Sequence, residues 1–181
     1  MAPASAWAGT LRAEPGDSPI LFKGSTEFSE FPTRFERSAS PDSRCAWGFW
    51  QGRSLQAEVV HCRTSGNTYY MDSYLRVRHL LPIWLTRIER NKLAVTWQER
   101  GVTLRGAMGP VEVHKFTLVD RVDYKCAGFL GAWGSIGSGR RNVITGYLCS
   151  PSAAFPLDEV IAQRLEELGL EGSFEHLIEP R

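Results

Sequence analysis

The feature that most constrains the fold is a glycine-rich stretch near the C-terminus, which predicts a β-hairpin. Residues 124–149 read YKCAGFLGAWGSIGSGRRNVITGYLC, and a two-residue turn at Gly137-Ser138 folds them into two paired strands. Glycine at the first turn position supplies the positive φ of a type II′ turn, whose twist suits paired strands. This register places Cys126 opposite Cys149. It also places an aromatic residue opposite a glycine in two further pairs, Tyr147–Gly128 and Phe129–Gly146, so that each ring would cover the backbone of the glycine.

A second hairpin is predicted around the other two cysteines. Two short strands, Cys45–Trp50 and Leu55–Cys62, flank a QGRS turn, and this register opposes the two cysteines to each other. Opposed strand residues lie about 4.5–5.5 Å apart at Cα, a distance that a disulfide spans. Four cysteines allow three pairings. The two registers favour the pairing Cys45–Cys62 and Cys126–Cys149.

Disulfides imply folding in an oxidising compartment, so we expect a secreted or periplasmic protein. The alternative is a cytoplasmic protein with four reduced, buried cysteines. The first residues, MAPASA, lack the apolar core of a signal peptide and suit a stub left beyond a cleavage site. The chain has no Cys-x-x-Cys pair, which disfavours a zinc site, and we predict neither a metal nor a cofactor.

The composition is that of an ordinary globular chain. Its 181 residues are 43% hydrophobic and 23% charged, which suits one domain with a sizeable core. A net charge of +1 disfavours nucleic acid as a partner. No apolar run approaches the ~20 residues of a membrane-spanning helix, so no transmembrane segment is predicted.

The rest of the chain predicts a mainly β fold. Short strands are expected from Trp7 onward, and from Leu93 five successive strands alternate apolar and polar residues. Turns are predicted at Arg100-Gly101 and at Gly106–Pro110. This pattern favours an antiparallel sheet over about residues 7–149, folded into a β-barrel or a sandwich.

Two helices are also predicted. Pro82 is expected to open a short helix with a basic face. A C-terminal amphipathic helix over about residues 156–169 is opened by Pro156 and ended by Gly169 as its C′ residue, and an acidic surface tail follows over residues 171–181. The apolar stripe of that helix comprises Leu157, Val160, Ile161, Leu165 and Leu168.

The C-terminal part also resembles a group of known proteins. The segments Cys126-Ala-Gly-Phe129 and Gly146-Tyr-Leu-Cys149, a proline-bearing turn and a final helix together resemble the end of small exported bacterial proteins of unassigned function. The resemblance covers about fifty residues of the sequence. It implies an exported location and no particular activity.

Two surface features are candidate sites. Glycine N–H groups and two arginines in the predicted hairpin turn suit an anion, although a plain hairpin turn needs the same glycines. This candidate anion site comprises Gly137, Gly139, Arg140 and Arg141. The apolar run Leu80–Leu85, edged by arginines, is a candidate partner contact. It comprises Leu81, Trp84, Arg87 and Arg90.

The preferred function is that of an exported, non-catalytic β-domain that binds a ligand or a protein partner at the bacterial cell envelope. Six tryptophans suit a small apolar ligand, although a core built of large side chains is the favoured interpretation of the same residues. One alternative is a small hydrolase-like enzyme, in which His61 or His114 meets an acid such as Asp120 or Asp123 in space. Another is a structural subunit that uses the Leu80–Leu85 run in a larger assembly.

Overall fold

The computed structural model describes residues 11–65, 68–84, 94–119 and 123–171. Within these ranges the chain is mainly β, with two α-helices. In chain order the strands are β1 (Leu11–Ala13), β2 (Ile20–Phe22), β3 (Arg34–Ala39), β4 (Ser43–Gln51), β5 (Gln56–Thr64), β6 (Tyr70–Met71), β7 (Ala94–Gly106), β8 (Gly109–Val119), β9 (Asp123–Ile136), β10 (Gly139–Ser150) and β11 (Leu168–Leu170). The helices are α1 (Val77–Trp84) and α2 (Asp158–Glu167).

Nine of the strands form one antiparallel sheet in the order β1-β3-β4-β5-β10-β9-β8-β7, with β6 also paired to β10. Strands β3 to β5 and β7 to β10 are two runs of consecutive neighbours, as short connections favour. The long-range pairing of β5 with β10 joins the two runs, and most side chains of these two strands are buried. The order has two ends, and the described strands do not close into a barrel. The predicted antiparallel, mainly β class with a C-terminal helix is confirmed.

Both cysteine hairpins have the predicted register. Strands β9 and β10 meet across a two-residue turn in which Gly137 has a φ of +54°, and Cys126 lies opposite Cys149. In the earlier hairpin, Cys45 lies opposite Cys62. Each pair forms a disulfide with its Cα atoms 4.1 Å apart. The predicted connectivity is confirmed, and each bridge ties two neighbouring strands together.

Both faces of the sheet are covered. On the face here called the α2 face, helix α2 and strands β2 and β11 pack over residues such as Val59 and Phe129. On the opposite α1 face, helix α1 packs over residues such as Val60 and Phe116. On the α2 face Phe129 covers Gly146 as predicted, since a Cβ at Gly146 would lie 2.7 Å from its ring.

Helix α1 packs on the sheet through Leu81, and this packing differs from three predictions made from the sequence. Tyr147 does face Gly128 in the register, but a Cβ at Gly128 would meet the Leu81 side chain first, at 2.5 Å. The helix begins at Val77, ahead of the predicted start at Pro82, because Val77 and Leu81 belong to its buried apolar stripe. Leu81 is fully buried, so this member of the predicted partner contact belongs to the core.

Strand β7 runs through a predicted turn. The sequence predicts a turn at Arg100-Gly101, but the strand continues there with an irregular register. Arg78 donates from Nη2 to two main-chain carbonyl oxygens of this segment, so these acceptors are satisfied without a turn. Gly101 serves close packing instead, since a Cβ there would overlap the ring of His114.

Helix α2 is shorter than predicted. Leu157, placed in the apolar stripe by the sequence, is 66% exposed, whereas Ile161 and Leu165 are buried. Gly169, expected to end the helix, lies in β11 and pairs with Leu21 of β2. Pairing with β2 satisfies main-chain groups that a C′ turn would otherwise satisfy, so the chain leaves the helix directly into a strand.

The described ranges contain no helix that is long and apolar enough to cross a bilayer.

Of the predicted acidic tail, Glu171 is exposed and pairs with Lys23, with Nζ and Oε1 2.6 Å apart. Residues 172–181 lie outside the described ranges.

Candidate functional site

A pocket of about 220 Å³ opens where the end of β10 meets α2. Three other segments complete it: the turn around Glu27, the β4–β5 loop, and residues 150–157. The pocket combines polar and apolar groups. Its polar lining comprises Glu27, Ser54, Ser150, Ser152 and Arg164, and its apolar lining comprises Leu55, Ala154, Phe155, Pro156, Leu157 and Val160.

Glu27 is anchored to the β4–β5 loop by three donors. Its Oε1 accepts hydrogen bonds from the main-chain N–H groups of Ser54 (2.5 Å) and Leu55 (2.7 Å), and Oε2 accepts one from the Ser54 hydroxyl (3.0 Å). Gly52 gives the carboxylate room, since a Cβ there would lie 2.5 Å from Oε1. Partial burial raises the pKa of Glu27, but these hydrogen bonds and the charge of Arg164 outweigh it, and the pKa is lowered overall. Glu27 is therefore ionised at neutral pH.

Arg164 is a buried cation on the pocket wall, with 6% of its surface exposed. Its Nη1 donates to the Ser25 hydroxyl (2.9 Å) and to the Glu167 carboxylate (2.6 Å). The Ser25 oxygen also accepts from the main-chain N–H groups of Glu27 and Phe28, so it links α2 to the Glu27 turn. Nε is buried without a hydrogen-bond partner among the described residues, and these residues offer no hydrogen bond to Nη2 either.

The rim ahead of α2 is held by two serines. The Ser150 hydroxyl accepts a hydrogen bond from the main chain of Ser152 (3.2 Å). The Ser152 hydroxyl donates to the carbonyl oxygen of Ala154 (3.0 Å). These bonds fix the segment that carries the apolar residues Phe155 and Leu157 into the lining.

The arrangement suits binding rather than proton transfer. The Ser54 hydroxyl donates to Glu27, but the lowered pKa of Glu27 makes this carboxylate a weak general base. None of the described residues in the lining is a histidine or a cysteine. The open donors of Arg164 can hold an oxygen acceptor while the apolar lining contacts the rest of a ligand.

The candidate anion site lies at the other end of β10 from the pocket. Arg140 pairs there with Asp72, with Nε and Oδ1 3.1 Å apart. A Cβ at Gly139 would overlap the ring of Tyr69, so the glycine serves close packing of the turn. Anion binding in this turn stays a prediction. Its members, Gly137, Gly139, Arg140 and Arg141, are not among the described residues that line the pocket beside α2.

The two histidines of the hydrolase alternative point to opposite faces of the sheet, because side chains alternate along β5 and β8. His61 stacks on Trp133 with ring centroids 5.4 Å apart. Burial lowers the pKa of His61 to about 4, so it is neutral at physiological pH. His114 lies 3.0 Å from Glu112 through Nε2, and Arg78 donates to its Nδ1 at 3.3 Å.

The predicted acids are not assembled with His114 in the described residues. Asp123 is exposed and lies opposite Val119, which is five residues, or about 16 Å, along β8 from His114. The acid that His114 contacts is Glu112. Asp120 lies outside the described ranges.

The candidate partner contact is only partly described. Leu80 and Leu81 are buried on the α1 face. Trp84 ends α1, but its side chain lies outside the described part of the structure, as do Arg87 and Arg90. Contact with a partner through these three residues stays a prediction.

The pocket is not among the sites predicted from the sequence, although one residue of the C-terminal helix indicates it. Arg164 lies three residues after Ile161 and four before Leu168, on the buried side of the C-terminal helix. A charged residue at an apolar position of a helix requires compensating partners or a site. The other polar residues of the pocket come from segments far apart in the chain, and no local spacing connects them.

Within the described ranges, no three His, Cys, Asp or Glu side chains cluster in a way that would hold a metal ion. No known protein family matches the chain, and no curated protein matches its sequence. The geometry of the pocket is therefore the main guide to function.

Proposed function

We propose that this protein is an exported, non-catalytic β-domain that binds a small ligand at the bacterial cell envelope. The observation that carries the proposal is the pocket beside α2, which joins an apolar lining to the buried guanidinium of Arg164 with unused donors. Pockets that bind small molecules combine apolar walls with a few fixed polar groups in this way.

Export is supported by the two disulfides. Disulfides persist in oxidising compartments and are rare in the cytosol. In the native host, all four cysteines should resist alkylation until a reductant is added. Rapid alkylation in intact cells, without reduction, would place the chain in a reducing compartment and refute export.

Binding is favoured over catalysis because the described residues of the lining include no group suited to take a proton. Glu27 is fully engaged by the β4–β5 loop, and its pKa is lowered. The serines donate to or accept from neighbouring protein groups, and the described residues place no histidine beside them in the lining. A hydroxyl nucleophile needs an adjacent base to become reactive.

Two neighbouring alanines provide a test. Ala153 and Ala154 are both exposed, but only Ala154 lines the pocket. Ala154→Trp should fill the entrance, whereas Ala153→Trp should leave it open. Ligand-observed NMR with a panel of small polar and apolar compounds should detect binding to the wild type and to Ala153→Trp, and loss of binding in Ala154→Trp. The proposal fails if no compound binds, or if every bound compound binds Ala154→Trp equally well.

A further inference from the structure

We infer that the ligand of this pocket is a small carboxylate with a short apolar part, held by the open edge of Arg164. The inference rests on the proposed function and adds the chemical class of the ligand. Three observations carry it: which guanidinium atoms are already bonded, which protein groups bind the neighbouring carboxylates, and how large the pocket is.

The open edge of Arg164 is the one that matches a carboxylate. In arginine, the Nε–H and one N–H of Nη2 point the same way and form a fork for two oxygens. Nη1, on the other side, is taken by Ser25 and Glu167. The described residues leave both atoms of the fork without a partner, and because Nε has less than 1 Å² of accessible surface, a carboxylate in the pocket meets Nη2 first. An unmet buried donor is costly, so an acceptor that reaches it gains more than one at the surface.

The charges around the pocket allow a negative ligand. Glu27 is engaged by three donors from the β4–β5 loop, so it does not occupy the fork of Arg164. Asp158 pairs with Lys115, with Oδ1 and Nζ 2.8 Å apart. The Nζ atom of Lys125 lies 5.4 Å from the ring centroid of Phe155 in the lining. Each of these carboxylates therefore has a protein partner, and Glu167 binds Nη1 rather than the fork of Arg164.

The size of the pocket suits a small ligand, because its volume of about 220 Å³ lies below the roughly 300–1,000 Å³ of pockets that bind drug-sized molecules. The apolar part of the ligand would contact Phe155, Leu157 and Val160, while the carboxylate meets Arg164. Butyrate and benzoate have suitable sizes, and their amides are matched neutral probes.

The experiment follows the pocket amides and the Nε–H signal of Arg164 by ¹H–¹⁵N NMR in the oxidised protein. This signal is assigned by its absence in Arg164→Lys. Sodium butyrate or benzoate should shift it saturably at constant ionic strength, and butanamide or benzamide should bind at least about tenfold more weakly, since a charge-assisted pair is worth about 1.5–3 kcal/mol. Arg164→Lys keeps the charge but loses the fork, and it should weaken carboxylate binding by a similar factor.

Controls separate this inference from the proposed function. Ala154→Trp should abolish the shifts and Ala153→Trp should retain them. Because both variants retain Arg164, they still test the inference if Arg164→Lys does not fold. Equal binding of amides and carboxylates at the pocket amides overturns the carboxylate inference and leaves the ligand-binding function standing. The carboxylate inference is also overturned if none of the four probes shifts the signals of the pocket amides. The proposed function falls with it only if the wider compound panel finds no ligand that Ala154→Trp excludes.

Discussion

Two buried polar side chains, Arg164 and His61, are accommodated in opposite ways. Arg164 is paired, because its Nη1 donates hydrogen bonds to Ser25 and Glu167. His61 is neutral at physiological pH, because burial lowers its pKa to about 4. The neutral ring stacks on Trp133. Burying a charge without a partner is costly, so a buried residue is either paired or neutral. The paired arginine therefore retains a charge that a ligand can use.

The lowered pKa of His61 predicts a loss of stability on acidification. Between pH 6.5 and about pH 4 the unfolded chain binds a proton at His61 that the folded chain does not, so the free energy of unfolding decreases as the pH falls. The full effect is about 3 kcal/mol. Urea denaturation at a series of pH values measures it in the wild type and in His61→Gln. The decrease should be smaller in His61→Gln and should persist in His79→Gln, which retains His61. Parallel pH profiles for the wild type and His61→Gln would contradict this account.

At the scale of elements, predictions held where local chemistry decides the structure. The β9–β10 hairpin needs only a two-residue turn at Gly137, and its register follows by counting outward. The sequence predictions were wrong where a residue distant in the chain stabilises a different local structure. Gly101 was predicted to turn the chain, but Arg78 and His114 stabilise an extended strand there. Gly169 was predicted to cap α2, but β2 supplies a pairing partner.

Helix α2 should be held to the sheet by its buried leucine. Leu165→Ala removes a side chain that is 2% exposed on the α2 face, and it should lower the free energy of unfolding by about 2–5 kcal/mol. Leu157→Ala is the matched control, because Leu157 is 66% exposed and its truncation should cost little. Urea denaturation compares the two. A loss below about 0.5 kcal/mol for Leu165→Ala would mean that the helix does not pack on the core as described.

The whole molecule depends on contacts that no local pattern reveals. The pairing of β5 with β10 joins residues about 80 positions apart, as in Cys62 opposite Val143, and it brings the two strand runs into one sheet. The pocket likewise draws Glu27, Ser54 and Arg164 from three distant segments. Periodicity and turn chemistry predict strands and hairpins, but they do not order hairpins within a sheet. The class of fold was therefore predictable, and the site was not.

The two disulfides act within the hairpins, so they should stabilise the molecule without defining its strand order. They close loops with sequence separations of 17 (Cys45–Cys62) and 23 (Cys126–Cys149), and loop-closure entropy then gives about 3 kcal/mol for each. The variants Cys45→Ala/Cys62→Ala and Cys126→Ala/Cys149→Ala should each lose a comparable amount of stability in urea denaturation. Hydrogen exchange should still show protected amides on β5 and β10 in both variants, because their pairing does not pass through either bridge. Peptide mapping without reduction should recover these two pairs from the native protein. Four free thiols, or a bridge from Cys62 to Cys126, would contradict both the register and the case for export that rests on it.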